Sequence, residues 1–338
     1  MDSLTQIALG SAVAVATMGR RTAVWKSALW GAVAGTLPDL DAFIDHGDAV
    51  LNMTLHRAES HSLFLTTLFS PLLAWLVSRL HGEGALFRRW WLALWLALFT
   101  HPLLDTMTVY GTQLLQPFSD HPFGVGSVFI IDPAYTLPLL FGVILALAWP
   151  RVGFKANAIA LVISSAYLVW SVAAQQHVAQ VARASLQQQG IAAERVLVTP
   201  SPFNTVLWRL VAVTPDRYFE GHHSLLDDGV QIVWREYDRG AAVIQRHREV
   251  DGLARIAAFS HGFFSAHERD GRLFVTDLRM GQEPTYTFRF DLGTEAERAA
   301  GPRAALGAGD RPDVEVALPW LWRRLQGEPL PPPGVAAR

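Results

Sequence analysis

The chain contains no cysteine. This absence excludes disulfide bonds, thiolate nucleophiles and zinc sites built on cysteine. No stretch of the sequence is dense in basic residues. The 28 lysines and arginines and 30 acidic residues give a formal net charge of −2. We therefore expect no nucleic-acid partner. The first six residues lack the basic region of a secretory signal peptide, so insertion into a membrane is expected to depend on internal apolar segments.

Apolar residues are concentrated in the first 175 residues of the chain. A full membrane span needs about 20 apolar residues. The third, fifth and sixth apolar segments approach that length, whereas the first, second and fourth are short, and the first two are compatible with a re-entrant pair. Three glycines, Gly10, Gly31 and Gly35, predict close helix contacts. The alternative is a set of buried helices in a large soluble core. The six segments lie at roughly 4–18, 23–38, 62–80, 90–104, 128–149 and 156–174.

Charged residues are distributed unevenly over the loops between these segments. With six crossings, one side receives nearly all of the basic residues and the other most of the acidic ones. The positive-inside rule places the basic side in the cytoplasm. We therefore expect a multi-pass protein of the cytoplasmic (inner) membrane, in contact with the lipid bilayer, with its acidic loops facing outward. The basic side carries Arg20, Arg21, Lys26, Arg79, Arg88, Arg89, Arg151 and Lys155. The acidic side carries Asp2, Asp39, Asp41, Asp45, Asp48, Glu59, Asp105, Asp120 and Asp132, with Arg57 as its one basic residue.

The pattern changes after Trp170. Residues 172–189 predict a polar helix that continues the sixth segment outward, and the following short runs rich in Val, Tyr, Phe and Trp predict strands. The predicted fold is an α-helical polytopic membrane domain over 1–175, followed by a small, mostly-β extracytoplasmic domain over 176–328 and a disordered tail over 329–338. The predicted strands are 195–198, 206–213, 230–237, 273–278 and 285–290.

Three short motifs rich in histidine and aspartate lie at the predicted outward ends of the apolar segments. Pro38–Asp41 ends the second segment, His56–Ser62 precedes the third, and His101–Asp105 ends the fourth. Ser60 is a predicted N-cap, and His101 and Asp105 are four residues apart, so they can share a helix face. Ionisable residues within membrane segments are costly and usually functional.

Imidazole nitrogens and carboxylate oxygens are suitable ligands for zinc, manganese or iron. Six candidates exceed what one tetrahedral zinc needs, so the pattern predicts either a two-metal site or one metal with a general base, for which Asp41 and Asp105 are the catalytic candidates. The alternative is a hydrogen-bonded polar collar that holds helix ends together. The six candidate ligands are Asp39, Asp41, His56, His61, His101 and Asp105.

Other polar residues have weaker assignments. Arg57, between two candidate ligands, could bind an anionic phosphate or carboxylate, or pair with an acidic neighbour. Asp2 and Gln6 could support the metal ligands from the second shell, or lie in a solvated terminus. The histidines of the C-terminal region, such as His222 and His261, have no ligand spacing and are interpreted as structural.

These motifs resemble a known family. The opening Asp2–Gln6, Pro38–Asp41, His56-Arg57 with Ser60–Ser62, and His101–Thr106 are similar to the LexA-regulated, membrane-bound, predicted metal-dependent hydrolases of bacterial inner membranes. The resemblance implies a metal held by the six candidates, and the ligand types favour zinc or manganese. It implies a hydrolase class without a substrate.

Three functions follow as hypotheses. The first is a hydrolase in which metal-activated water attacks an ester or phosphoester, of a lipid-linked or phosphorylated substrate. The second is a metal-handling or transport protein that uses the same ligands. The third is a non-enzymatic membrane scaffold.

Overall fold

The computed structural model of the protein describes residues 1–301, 304–307 and 313–334. Residues 335–338 of the predicted tail lie outside the described residues. Among the described residues, short 3-10 turns at Pro38–Phe43 and Glu59–His61 separate some of the helices. The helices are α1 (Ser3–Met18), α2 (Val24–Thr36), α3 (Ala49–Leu55), α4 (Leu63–Leu80), α5 (Phe87–Asp105), α6 (Pro133–Ala148), α7 (Pro150–Gln188), α8 (Ala241–Arg246), α9 (Asp251–Phe259), α10 (Glu295–Ala300) and α11 (Val314–Leu325).

All six predicted apolar segments are helical, but the expectation of about six membrane segments is not supported. In the described part of the chain, two helices, α4 and α7, are long and apolar enough to cross a bilayer. Helix α6 is apolar but shorter. With 16 and 13 residues, α1 and α2 extend only about 24 and 20 Å at roughly 1.5 Å per residue, less than the hydrocarbon core of about 30 Å.

Helices α1 and α2 pack against each other through their glycines. A Cβ atom added to Gly10 would lie 2.2 Å from the carbonyl oxygen of Gly31, and one added to Gly35 would lie 2.5 Å from that of Gln6. Such distances leave no room for a side chain. The predicted role of these glycines in close helix contact is therefore confirmed.

Helix α7 continues through the predicted polar segment, as its sequence indicated. It runs without interruption from Pro150 to Gln188, and Gly190 follows with a φ of 70°. A glycine in the left-handed region is a common helix terminator. The β strands come after this point in the chain.

The C-terminal region is mostly β, as predicted. Its described strands form two four-stranded antiparallel sheets, in the orders β1-β2-β3-β4 and β10-β9-β6-β5, and a two-stranded β7-β8 pair. The strands are β1 (Arg195–Pro200), β2 (Leu207–Val213), β3 (Arg217–Ser224), β4 (Arg235–Asp238), β5 (Phe264–Arg269), β6 (Arg272–Asp277), β7 (Gly281–Gln282), β8 (Thr285–Tyr286), β9 (Arg289–Thr294) and β10 (Ala305–Leu306).

The first sheet packs against the polar end of α7. Val178 and Ala182 of that helix share a buried cluster with Trp208 and Leu210 of β2 and with Ile232. The strand predicted over 230–237 exists only as β4, from Arg235. The apolar residues before Arg235 are explained by Ile232, which packs in this cluster without forming a strand.

The chain divides into two compact units. Unit 1 comprises Met1–Ile44, His56–Val172 and Pro202–Asn204, and unit 2 comprises Asp45–Leu55, Ala173–Ser201 and the described residues from Thr205 onward. The segment Asp45–Leu55, here called the inserted segment, therefore lies in unit 2 although the chain on both sides of it lies in unit 1.

The inserted segment is held within unit 2 by backbone and side-chain hydrogen bonds. The backbone N–H of Ala49 donates to the carbonyl oxygen of Ala304 at 3.0 Å, and the N–H of Ala304 donates to Asp48 Oδ2 at 2.5 Å. The other oxygen of Asp48 accepts from the N–H groups of Val50 and Leu51 and so caps α3. One aspartate thus both starts the helix and ties it to the C-terminal part of the chain.

Candidate metal centre

Three helix ends in unit 1 bring the predicted motifs together. Helix α2 ends at Thr36 and the 3-10 turn that follows carries Asp39. His61 ends the turn before α4, while His101 and Asp105 occupy the last part of α5. The helix continues through Pro102, so the predicted shared face of His101 and Asp105 is present.

Four of the predicted ligands converge. One nitrogen or oxygen atom from each of Asp39, His61, His101 and Asp105 lies within 4.8 Å of the other three. His61 Nε2 lies 3.0 Å from His101 Nε2 and 3.1 Å from Asp105 Oδ2. Asp39 Oδ1 lies 3.4 Å from His61 Nε2 and 3.5 Å from His101 Nε2. We call these four residues the metal cluster.

These separations fit a shared metal ion. Zinc binds histidine nitrogen and carboxylate oxygen at about 2.0–2.2 Å, which puts neighbouring ligands about 3.4 Å apart in a tetrahedron and about 3.0 Å apart in an octahedron. The distances of 3.0–3.5 Å among cluster atoms lie in this range. The cluster could therefore bind a metal ion.

Each histidine ring is held by its far nitrogen. His101 Nδ1 lies 2.7 Å from the carbonyl oxygen of Gly35, which can only accept a hydrogen bond. His61 Nδ1 lies 2.8 Å from Ser60 Oγ, which donates in turn to Asp41 Oδ2 at 2.5 Å. With a proton on each Nδ1, both Nε2 lone pairs point into the cluster, the arrangement of a metal-binding histidine with its supporting partner.

Asp41 and His56 lie outside the metal cluster. Both carboxylate oxygens of Asp41 are engaged: Oδ1 lies 2.8 Å from His56 Nδ1, and Oδ2 accepts from the Arg57 N–H at 2.9 Å as well as from Ser60. The ring centroids of His56 and His61 are 6.0 Å apart. Asp41 therefore orients His56 directly and His61 through Ser60.

Asp105 is buried among polar partners. Gln6 Nε2 donates to its Oδ1 at 3.1 Å, the Met1 amino group also contacts that oxygen, and Arg57 Nε lies 3.5 Å from Oδ2. Oδ2 lies 3.1 Å from His61 Nε2 and 3.4 Å from His101 Nε2, and with both Nε2 atoms unprotonated it accepts no hydrogen bond from the described residues. A buried carboxylate oxygen without a donor is costly, and a cation bound between it and the two Nε2 atoms would satisfy it.

The electrostatics of the cluster favour a cation. Burial raises the pKa of Asp39, but contacts with His101 and His61 outweigh it and hold that pKa below its usual range. Burial lowers the pKa of His61, yet contacts with Asp105, Asp39 and Asp41 raise it to about 9. The field that would hold a proton on His61 also attracts a metal ion, so protons and metal compete for this position.

The remaining predicted site residues have definite places. Arg57 is buried, its guanidinium lies 4.9 Å from the Tyr110 ring centroid, and its φ of 67° places the backbone in the left-handed region. Asp2 caps α1 by accepting from the Thr5 N–H at 3.1 Å and is not a cluster member. The left-handed backbone of Arg57 is strained, and strain at a residue beside a site is often functional.

The prediction of Ser60 as the N-cap is wrong, and the sequence analysis missed Gly35. The Leu65 N–H donates to Ser62, which is the true N-cap of α4. Ser60 instead links His61 to Asp41. The position of Ser60 directly before His61 could have indicated this role, because a serine next to a histidine can reach its Nδ1 atom. No side-chain signal marks Gly35, because it acts through its carbonyl oxygen.

Comparison with known proteins supports a membrane assignment. The uncharacterized protein YfhP of Bacillus subtilis (strain 168) is 22% identical over 271 residues, which cover 77% of this chain and 80% of YfhP. No solved structure matches the chain. The model of the YdjM inner membrane protein family matches residues 1–178, which include the whole metal cluster. The chain belongs to the YdjM inner membrane protein family.

Proposed function

We propose that the protein is a membrane-bound, metal-dependent hydrolase whose centre is the metal cluster. The observation that carries the proposal is the convergence of two imidazole Nε2 atoms and two carboxylate oxygens, one of which accepts no hydrogen bond from any described residue. Nitrogen and oxygen ligands of this kind suit zinc or manganese. The substrate bond is an ester or a phosphoester.

The ligand residues are Asp39, His61, His101 and Asp105. A divalent ion held there would act as a Lewis acid and lower the pKa of water. The carboxylates of Asp39, Asp41 and Asp105 outnumber the two cationic groups beside them, the Arg57 guanidinium and the Met1 amino group, and a divalent ion would balance the remaining negative charge. Arg57 contacts Asp105 directly and limits the repulsion between these carboxylates.

The pair of Asp41 and His56 is suited to accept a proton. Asp41 Oδ1 accepts from His56 Nδ1, so His56 Nε2 carries the lone pair. The His56 side chain is partly exposed, and its ring centroid is 6.0 Å from that of His61. In this proposal His56 is the general base and Asp41 is its positioning residue.

We place the metal cluster at the extracytoplasmic face of the inner membrane. At the opposite ends of the helices, Lys26 Nζ donates to Glu83 at 2.7 Å and Trp90 Nε1 donates to the same side chain at 2.9 Å. The loops that carry Arg20, Arg21, Arg79 and Arg88 therefore meet at one end of unit 1. The positive-inside rule assigns that end to the cytoplasm.

A structural metal site is the second candidate. Four protein ligands complete a tetrahedral shell, as in structural zinc sites, and the side chains of His61, His101 and Asp105 are fully buried. A structural ion would stabilise the helix ends without any chemistry.

Hydrolysis assays on metal-loaded protein separate the two. Full-length protein in lipid nanodiscs is tested against carboxylic and phosphoric ester substrates, with His56→Gln as the test variant and the exposed His267→Gln as its control. A hydrolase loses turnover in His56→Gln while it retains metal. Absence of turnover in the wild-type protein at full metal occupancy would favour the structural role.

A further inference from the structure

The metal cluster can be reached from one side. The side chains of His61, His101 and Asp105 have no exposed surface, whereas that of Asp39 is 19% exposed. A substrate must therefore approach past Asp39, on the 3-10 turn Pro38–Phe43. The surroundings of this turn decide which molecules can approach.

The turn that presents Asp39 also presents large apolar side chains. Leu40 is 54% exposed, Phe43 86% and Ile44 57%. We call these three residues the apolar rim. Leu40 lies between the two aspartates of the motif, and Phe43 and Ile44 follow them. The exposed carboxylate of Asp39 and the apolar rim are therefore on the same short segment. Exposed apolar residues grouped beside a site mark a ligand or membrane contact.

A second group of apolar side chains, Phe64 and Phe118, lies beside the motif that carries His61. Phe64, three residues after His61, is 50% exposed and lies edge to face with Phe118 at 5.3 Å between ring centroids. Loop residues near Phe118 are attached to the His61 motif, because the Leu63 N–H donates to the carbonyl oxygen of Leu114. Apolar surface thus adjoins two of the three sequence motifs that supply cluster residues, those of Asp39 and His61.

We propose that the substrate is an amphiphile whose hydrocarbon chain lies against the apolar rim while its ester or phosphoester linkage reaches the metal cluster. This inference rests on the proposed hydrolase function and adds the substrate class to it. Water is the second reactant: its oxygen bonds to the acyl carbon or phosphorus, the linkage to the leaving oxygen breaks, and one proton passes to that oxygen.

The test uses probes that bind metal whether or not the protein is an enzyme. Acetohydroxamate and decanohydroxamate carry the same metal-chelating group and differ in chain length. Their affinities for metal-loaded, full-length protein are measured by calorimetry in one detergent. We expect the longer probe to bind at least about tenfold more tightly, because each buried methylene adds to affinity.

Variants locate the source of that preference. Phe43→Ser should reduce the chain-length preference several-fold and leave metal content and acetohydroxamate affinity unchanged. Leu76→Ser, at an exposed position on α4 outside the apolar rim, is the control and should keep the preference. Equal affinity of both probes, failure of both to bind, or an equal effect of the control would overturn the proposal.

The outcome is separate from that of the hydrolase proposal. A chain-length preference that depends on Phe43, in a protein that hydrolyses no ester, would refute the enzymatic role while an amphiphile site stands. Hydrolysis of short and long esters with equal efficiency, and without an effect of Phe43→Ser, would refute the substrate class while the enzyme stands.

Discussion

The carbonyl oxygen of Gly35 lies 2.7 Å from His101 Nδ1. The same glycine lets α2 approach α1, since a Cβ there would lie 2.5 Å from the carbonyl oxygen of Gln6. Gln6 in turn donates to Asp105. Helix packing and ligand orientation therefore depend on the same few atoms.

The first prediction concerns metal content. His61→Ala should lose bound metal because it removes the nitrogen that lies 3.0 Å from His101 Nε2 and 3.1 Å from Asp105. Elemental analysis of purified protein is the measurement. His247→Ala, in unit 2 and paired with Glu268, is the control and should retain the metal. Full occupancy in His61→Ala would show that the ion binds elsewhere.

The second prediction distinguishes a supporting residue from a ligand. Asp41→Asn should weaken metal affinity by about 10–100-fold, the usual effect of removing a second-shell partner. The reason is that Asp41 anchors Ser60 and, through it, His61. Competition with a chelator gives the affinity. An affinity equal to that of the wild-type protein, or a complete loss like that in Asp105→Ala, would contradict this role.

The third prediction concerns the glycine contact of α1 and α2. A Cβ added at Gly31 would lie 2.3 Å from the carbonyl oxygen of Gly10. We expect Gly31→Ala to destabilise the protein by about 1–3 kcal/mol, a typical overpacking effect. Thermal unfolding in detergent measures it. Gly84→Ala, where a Cβ would meet nothing within 4 Å, should change the midpoint little, and equal effects at both positions would be evidence against the contact.

The fourth prediction is a dependence of stability on pH in unit 2. Burial, and then the charges of Arg209 and Arg324, lower the pKa of His222 to about 3 from 6.5. A histidine held neutral in the folded state contributes full stability above its unfolded pKa, and this contribution is lost as the pH falls from about 6.5 toward 3.

Variants at position 222 test this origin. His222→Gln should flatten the fall of the unfolding midpoint between pH 6.5 and 4, whereas the exposed His267→Gln should keep the wild-type slope. Equal slopes in the wild-type protein and His222→Gln would assign the acid sensitivity to other groups.

Sequence patterns predicted the residues that converge in the metal cluster better than they predicted the membrane crossings. His101 and Asp105 are four residues apart on a helix, and this local periodicity survives folding. The number of spans depends on helix length, and here α2 ends after 13 residues. Apolar residues alone do not show where a helix ends, because polar neighbours and short turns decide it.

The central strand β3 was missed for a different reason. It contains Glu220 and His222, polar residues that interrupt the apolar pattern of a strand, and both side chains lie on the face of the sheet that carries Arg209. Glu220 is buried because the Arg209 guanidinium on β2 binds its carboxylate. A pairing between strands cannot be recognised from the sequence of one strand.

The sequence also could not show which of the six candidates lie in the buried metal cluster and which two, Asp41 and His56, lie outside it. All six candidates have suitable chemistry, and spacing does not rank them. Tertiary hydrogen bonds rank them: Ser60, the His56 ring and the Arg57 N–H occupy Asp41, which leaves Asp39 to face the two Nε2 atoms.

The inserted segment sets an order of events during synthesis. Asp48 and Ala304, which hold each other, are 256 residues apart in the chain. At roughly 5–20 residues per second, a ribosome adds that length in about 13–50 s. During this interval the stretch between Asp41 and His56 lacks its partner, so the two motifs on either side are joined by an untethered loop. Docking of the inserted segment within unit 2 is therefore expected to be a late step, completed only after Ala304 has been synthesised.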